Sequence, residues 1–154
     1  DSAWSLGPKK YLRDRKSWSG PMKFRVHQYN DLDLTIHEAT EPTDTDDITS
    51  LLKDFYRNRV TTYLIWDLNK GGNPELSIDD IRKINDISIE YGSQRKTGKT
   101  AIVTDNDLYF GLSRMYEIYA EIETDLSLKV QVFREFNQAI AWFEINVKDG
   151  WVPY

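Results

Sequence analysis

Two aspartates stand where α/β proteins often bind ligands. Asp67 and Asp105 each follow a predicted strand. In open parallel sheets, ligands bind beyond the carboxyl ends of the strands, so the two side chains form a candidate crevice. An aspartate at a strand end also forms turns and caps helices. No nucleophile, base or oxyanion donor can be named to accompany them, and the sequence therefore predicts neither catalytic residues nor an enzyme.

Ser77 is a second candidate because it begins a predicted helix after the glycine-containing loop 69–74. The spacing Ser77-x-x-Asp80 matches the capping box, in which the first hydroxyl accepts a bond from the amide three residues later. A phosphate at a helix N-terminus would also meet free amides. Ser77 is thus predicted to be a helix cap, with phosphorylation as the alternative.

The stretch Gly98-Lys99-Thr100 resembles the end of a phosphate-binding loop. The complete motif needs a glycine where this chain has Ser93, and it must open a helix rather than precede a strand. We therefore predict a basic turn in which Arg95 and Lys96 are solvated, and no nucleotide cofactor.

The two histidines, His27 and His37, fall on two predicted strands of a hairpin. If Val26 pairs with Ile36, both imidazoles lie diagonally on one face of the sheet. Two ligands without a third make a poor metal site. We therefore predict that the two histidines are paired or solvated and that they do not form a metal site.

A predicted helix carries Tyr109, Arg114 and Tyr116 around Gly111. Tyrosine and arginine are enriched in binding hot spots, so these three residues form a candidate interaction surface. A glycine within a helix usually permits a close approach. Close packing of this helix on the sheet or on a neighbouring helix is the alternative.

Hydrophobic periodicity predicts nine elements in the order ββαβαβαβα. Helices between strands require crossover connections, which indicates an α/β fold with a mostly parallel sheet and an antiparallel edge hairpin. The predicted strands are 24–29, 32–38, 62–68, 99–104 and 129–134, and the predicted helices are 45–59, 77–91, 107–122 and 135–147.

Composition limits the classes of function. The chain has 154 residues, no cysteine and a net charge of −5. This length fits one domain. The absence of cysteine excludes disulfides and thiolate metal sites. Because the chain is acidic, it is not expected to bind nucleic acid. No apolar run approaches the roughly 20 residues of a membrane span, and no signal peptide is visible, so a cytoplasmic location is predicted.

Residues 1–21 differ from the rest of the chain. They carry 5 basic and 2 acidic side chains, whereas residues 22–154 carry 15 basic and 23 acidic ones. Met22 opens the regular pattern, so the segment is either vector-derived or a native arm that packs its aromatic residues onto the domain. Residues 22–154 are predicted to form the single domain.

Residues 32 to 143 resemble the small bacterial SpoIIAA-like proteins, which are grouped with STAS domains and share a fold with Sec14 (CRAL/TRIO) lipid-binding domains. The blocks that carry the resemblance are Tyr63-Leu64-Ile65-Trp66-Asp67-Leu68, Ala101-Ile102-Val103, Phe110-Gly111-Leu112-Ser113-Arg114-Met115-Tyr116, Val132-Phe133-Arg134 and Ala139-Ile140-Ala141-Trp142-Phe143.

The resemblance implies a right-handed β–α superhelix without catalytic machinery. Anti-sigma-factor antagonists of this fold are switched at a serine in an Asp-Ser-Ser-Gly motif; here the corresponding stretch is Glu75-Leu76-Ser77-Ile78. Two functions follow as expectations. The first is a regulatory domain that binds another protein, with a homodimer among the alternatives. The second is a domain that binds a small apolar ligand or lipid. The helices carry one apolar stripe each, without surplus to line a cavity, which favours the first.

Overall fold

The computed structural model describes residues 23–71, 76–95, 97–123 and 129–154. Its elements follow the predicted order ββαβαβαβα. The strands are β1 (Phe24–Tyr29), β2 (Leu34–Ala39), β3 (Tyr63–Asp67), β4 (Lys99–Val103) and β5 (Lys129–Phe133). The helices are α1 (Thr45–Asn58), α2 (Ile78–Tyr91), α3 (Asp107–Glu123) and α4 (Phe136–Phe143). The prediction for residues 1–21 lies outside the described residues.

The five strands form one sheet in the order β1-β2-β3-β4-β5. The β1–β2 pair is antiparallel and the other three pairs are parallel. The predicted α/β fold, with its antiparallel edge hairpin, is therefore confirmed. In the described ranges, no helix combines the length and the hydropathy that crossing a membrane requires.

Each face of the sheet is buried against a different set of helices. Leu64 and Trp66 of β3 point to the face covered by α1, α2 and α3, which we call the three-helix face. Ile65 points to the opposite face, where Ala139 and Phe143 of α4 pack, and which we call the α4 face. This alternation explains why the β3 sequence is apolar at successive positions.

The hairpin register differs from the sequence expectation by one residue. Val26 pairs with His37, not with Ile36, and His27 pairs with Ile36. The connection is a 3₁₀ turn at Asn30–Leu32, followed by Asp33 at φ 52°. A turn longer than the two residues expected shifts the pairing, and a shift of one residue moves every side chain to the other face. The expectation that both histidines share a face is therefore wrong.

Helix α4 ends four residues before its predicted end at residue 147. Glu144 has φ 59° and ψ 32°, in the left-handed region, and its amide bonds to the Ala141 carbonyl. This conformation terminates an α-helix. The chain then continues across the α4 face, where Ile145 and Trp151 pack against the cluster around Phe143.

Candidate functional site

A cavity lies between the three-helix face and the helices that cover it. Its volume is about 60 Å³, and one side opens towards solvent. A water molecule requires roughly 10–15 Å³ of such space, so several waters or a small organic group fit inside. The sequence expectation that no residues remain to line a cavity is wrong.

Most of the cavity wall is apolar. Helices α1 and α2 contribute Ile48, Leu52, Ile81 and Ile84, and the sheet contributes residues that include Trp66 and Ile102. The cavity coincides with inward-facing positions occupied by small side chains, namely Ser88 on α2, Thr100 on β4 and Ser113 on α3, all of which are buried. A small residue within an apolar stripe leaves space that its neighbours do not fill.

Two hydroxyls meet inside the cavity. The Ser88 hydroxyl donates to the Ile84 carbonyl at 3.2 Å and also bonds to the Tyr116 hydroxyl. Because Ser88 uses its hydrogen on Ile84, Tyr116 is the donor between the two. Burial raises the pKa of Tyr116 to about 12, although the bond to Ser88 acts in the opposite direction. Tyr116 is therefore a neutral donor at neutral pH.

Arg95 lies at one end of the cavity, in the 3₁₀ turn Gly92–Arg95 that follows α2. Its side chain is buried, with only 4% of the residue exposed. The prediction that Arg95 is solvated is therefore wrong. Its guanidinium donates to the carbonyls of Thr61, Thr62 and Lys99 and to the Thr100 hydroxyl. Lys96 lies outside the described residues.

The stretch Gly98-Lys99-Thr100 has structural contacts of its own. Gly98 precedes β4, and a Cβ atom there would lie 3.0 Å from the Arg95 side chain. The Lys99 ammonium lies on the opposite side of the sheet, where it donates to the Trp142 carbonyl at 3.1 Å and lies 5.1 Å from the centre of that ring.

At Asp67, the predicted crevice at the carboxyl ends of the strands is covered by the Tyr154 side chain. Asp67 ends β3 on the α4 face and is buried; it accepts bonds from the Asn69 amide and the Tyr154 hydroxyl. The Tyr154 ring stacks on His27 at 4.4 Å between ring centres. Burial, together with the bond to Asp67, raises the pKa of Tyr154.

Asp105 is exposed and does not take part in the contacts between Asp67 and Tyr154. Its amide donates to the Asn69 side-chain oxygen at 2.7 Å, and its carbonyl accepts a bond from Arg134 at 3.0 Å. Asn69 therefore joins the loops that follow β3 and β4. The interactions of Asp67 and Asp105 fit the structural alternative, in which both residues hold turns.

The two histidines lie on opposite sides of the sheet. His37 is buried on the three-helix face with Trp66, at 4.4 Å between ring centres. His27 lies on the α4 face, 2.9 Å from Glu38. Burial lowers the pKa of His27, and the Glu38 carboxylate opposes this shift. No group of three potential ligands that could hold a metal ion occurs in the described ranges.

The structure does not form the predicted surface of Tyr109, Arg114 and Tyr116. Tyr109 and Tyr116 are buried, with 2% and 8% exposed, because they point from α3 towards the sheet. Arg114 is exposed and pairs with Glu117 at 2.8 Å. The close packing expected around Gly111 is also absent, since a Cβ atom there would meet nothing within 4 Å.

Ser77 caps α2 as one of the two alternatives predicts. Its hydroxyl accepts a bond from the Asp80 amide, and the Asp80 carboxylate accepts one from the Ser77 amide. Bonds from the Thr45 hydroxyl and from the Ser77 amide lower the pKa of Asp80. Phosphorylation of Ser77 stays a prediction.

We expect Ser77→Ala to lower the free energy of unfolding by about 1 kcal/mol, because the Asp80 amide then loses its partner. Urea denaturation measures the change. Ser50→Ala is the matched control, since Ser50 is exposed within α1 and alanine favours a helix interior. Equal effects at the two positions would contradict the capping role.

A comparison with protein-family models finds no match for this chain, and a comparison with curated proteins finds none either. The resemblance to SpoIIAA-like and STAS domains therefore stays a prediction.

Proposed function

We propose that this domain is a non-enzymatic binding domain that takes up a small, mostly apolar molecule between its sheet and helices α1, α2 and α3. The observation that carries the proposal is the cavity, whose walls are mostly aliphatic and aromatic. Ligand sites in proteins are typically concave and apolar, with a few polar groups that orient the ligand. Ser88, Tyr116 and Arg95 are such groups here.

The size of the cavity limits the ligand. An engineered apolar cavity of about 150 Å³ binds benzene, whereas this one measures about 60 Å³. A molecule the size of a membrane lipid would not fit within it. A ligand with a short alkyl chain matches better, with part of the molecule in the open mouth.

Native mass spectrometry tests the proposal. Protein purified without denaturation should carry an additional small mass that is lost when the protein is unfolded. A protein that shows only its own mass, both as purified and after incubation with short-chain alcohols, would contradict the proposal.

Filling the cavity gives a second test. Ile102 lines the cavity on β4, while Ile65 is fully buried on the α4 face. Adding bulk to a packed core costs about 1–3 kcal/mol, so we expect that loss of unfolding free energy for Ile65→Phe and a smaller loss for Ile102→Phe. Only Ile102→Phe should remove the bound mass. Equal losses in urea denaturation, with the bound mass unchanged, would contradict the account.

A second candidate function, self-association of the domain, is favoured by α3. Leu108 is 64% exposed and Ile118 is 46% exposed on this helix. We propose self-association through this helix as the alternative role. Sedimentation analysis should then show a dimer that Leu108→Lys converts to monomer; a monomeric parent protein would rule out the dimer.

A further inference from the structure

We propose that the ligand of the cavity is a monocarboxylic acid with a short alkyl chain, and that its carboxylate pairs with Arg95. The inference rests on the proposed binding function and specifies its chemistry. It is carried by a buried cation that has no anionic partner among the described residues and that lines a mostly apolar cavity.

The partners of Arg95 among the described residues are all neutral. The bond lengths are 2.9 Å to the Thr61 carbonyl, 2.9 Å to Thr62, 3.0 Å to Lys99 and 2.8 Å to the Thr100 hydroxyl. Among the residues that the structure describes, no carboxylate forms an ion pair with Arg95. The other buried arginine, Arg59, differs because Asp54 lies 2.9 Å from its Nε atom.

A buried charge is costly unless a counter-charge and hydrogen bonds compensate it. At Arg95 three backbone carbonyls and the Thr100 hydroxyl supply hydrogen bonds but no negative charge. A bound carboxylate would supply the missing charge without any rearrangement of the guanidinium. The site is therefore suited to an anion.

One hydrogen of the guanidinium remains available. Arginine has five N–H donors. The four bonds use the Nε hydrogen, one Nη1 hydrogen and both Nη2 hydrogens. The second Nη1 hydrogen has no partner among the described residues. This Nη1 atom is the one bonded to Thr100, whose side chain lines the cavity.

The guanidinium is held in place before any ligand arrives. It lies 5.2 Å from the centre of the Phe55 ring, and Gly98 leaves room for it, since a Cβ atom there would approach its Nε to 3.0 Å. A donor that is already ordered loses little conformational entropy on binding, which increases affinity. The Tyr116 hydroxyl lines the same cavity and is neutral, so it does not repel an anion, and its own hydrogen is already donated to Ser88.

The charge of the site indicates a monoanion. Arg95 is the only lysine or arginine among the described residues that line the cavity, so a dianionic phosphate would leave one negative charge in apolar surroundings. The outer side of Arg95 faces a polar cleft of about 160 Å³ that includes Asp33. The carboxylate of Asp33 disfavours an anion there, which places the ligand's carboxylate on the cavity side.

Calorimetric titration of the unaltered protein with acid and alcohol pairs tests the inference without any mutation. Hexanoate and hexan-1-ol share the apolar chain, and butanoate and butan-1-ol test a shorter one. A hydrogen bond to a charged group contributes about 1.5–3 kcal/mol, so each acid should bind at least about tenfold more tightly than its alcohol.

Arg95→Met should abolish this preference while the alcohol still binds, provided that its circular dichroism matches that of the parent. Arg114→Met is the control, because Arg114 is an exposed arginine outside the cavity, and it should keep the preference. Equal affinities for acid and alcohol in the parent protein would overturn this inference and leave the proposed function intact. Failure of every probe to bind would overturn both.

Discussion

Replacing Arg59 with methionine is expected to lower the free energy of unfolding by about 3–5 kcal/mol, because it leaves a carboxylate buried without its counter-charge. Arg59 follows α1, and its side chain is 1% exposed, against 7% for its partner Asp54. Asp54 also accepts a bond from the Asn58 amide group at 2.8 Å. The Asn58 amide is neutral and does not replace the positive charge of Arg59.

Urea denaturation measures the loss, and a double-mutant cycle separates the pair from its surroundings. Asp54→Leu combined with Arg59→Met removes both charges, and we expect it to be more stable than Arg59→Met alone. Arg82→Met is the matched control, since the Arg82–Asp79 pair is exposed on α2 and such pairs contribute at most about 1 kcal/mol. A loss for Arg59→Met no larger than for Arg82→Met would contradict the assignment.

The second large effect is expected at Trp66. Its ring packs edge-on against His37, at 4.4 Å between centres, and against Phe24, at 5.5 Å. Truncation of large buried aromatic residues costs about 3–5 kcal/mol, since the loss of buried surface adds to the cavity left behind. Trp66→Ala should therefore lower the free energy of unfolding by this amount.

Trp151→Ala is the matched control because Trp151 packs, only half-buried, against the α4 face. We expect a clearly smaller loss there. A loss below about 1 kcal/mol for Trp66→Ala would show that Trp66 is not part of the core. The two variants also report separately on the two faces of the sheet.

The fold was predictable because each element has a strong local signal. The apolar block Tyr63-Leu64-Ile65-Trp66 indicates a strand buried on both faces, and it forms the central strand β3. Helix α1 combines an apolar stripe with a capping box at Asp44 and Asp47. Patterns of this kind depend on neighbouring residues and need no knowledge of the tertiary structure.

The errors arise where geometry depends on distant contacts or on one backbone angle. The left-handed conformation of Glu144 ends α4 early, and the longer turn before Asp33 shifts the β1–β2 register. The positive φ angles of Asp33 and Glu144 could not be predicted from the residue types, because neither residue is a glycine. The register error then placed His27 and His37 on one face.

The candidate site was the least predictable part. Arg95 stands in a polar stretch, Gly92-Ser93-Gln94-Arg95, which is typical of a solvated turn. Its burial depends on the Thr61, Thr62 and Lys99 carbonyls, which lie on other strands or loops. One signal for the cavity was present in the sequence: Ser88 and Ser113 interrupt the apolar stripes of their helices.

The most direct test of the proposed site is a methyl NMR titration of isoleucine-labelled protein with hexan-1-ol, a neutral probe that does not depend on Arg95. The isoleucines that line the cavity are Ile48, Ile81, Ile84 and Ile102, whereas Ile36 and Ile65 lie on the α4 face. We expect saturable shifts of the first group, with the second group unchanged. Shifts confined to the exposed residues Ile78 and Ile118, or no shifts at all, would contradict the proposed site.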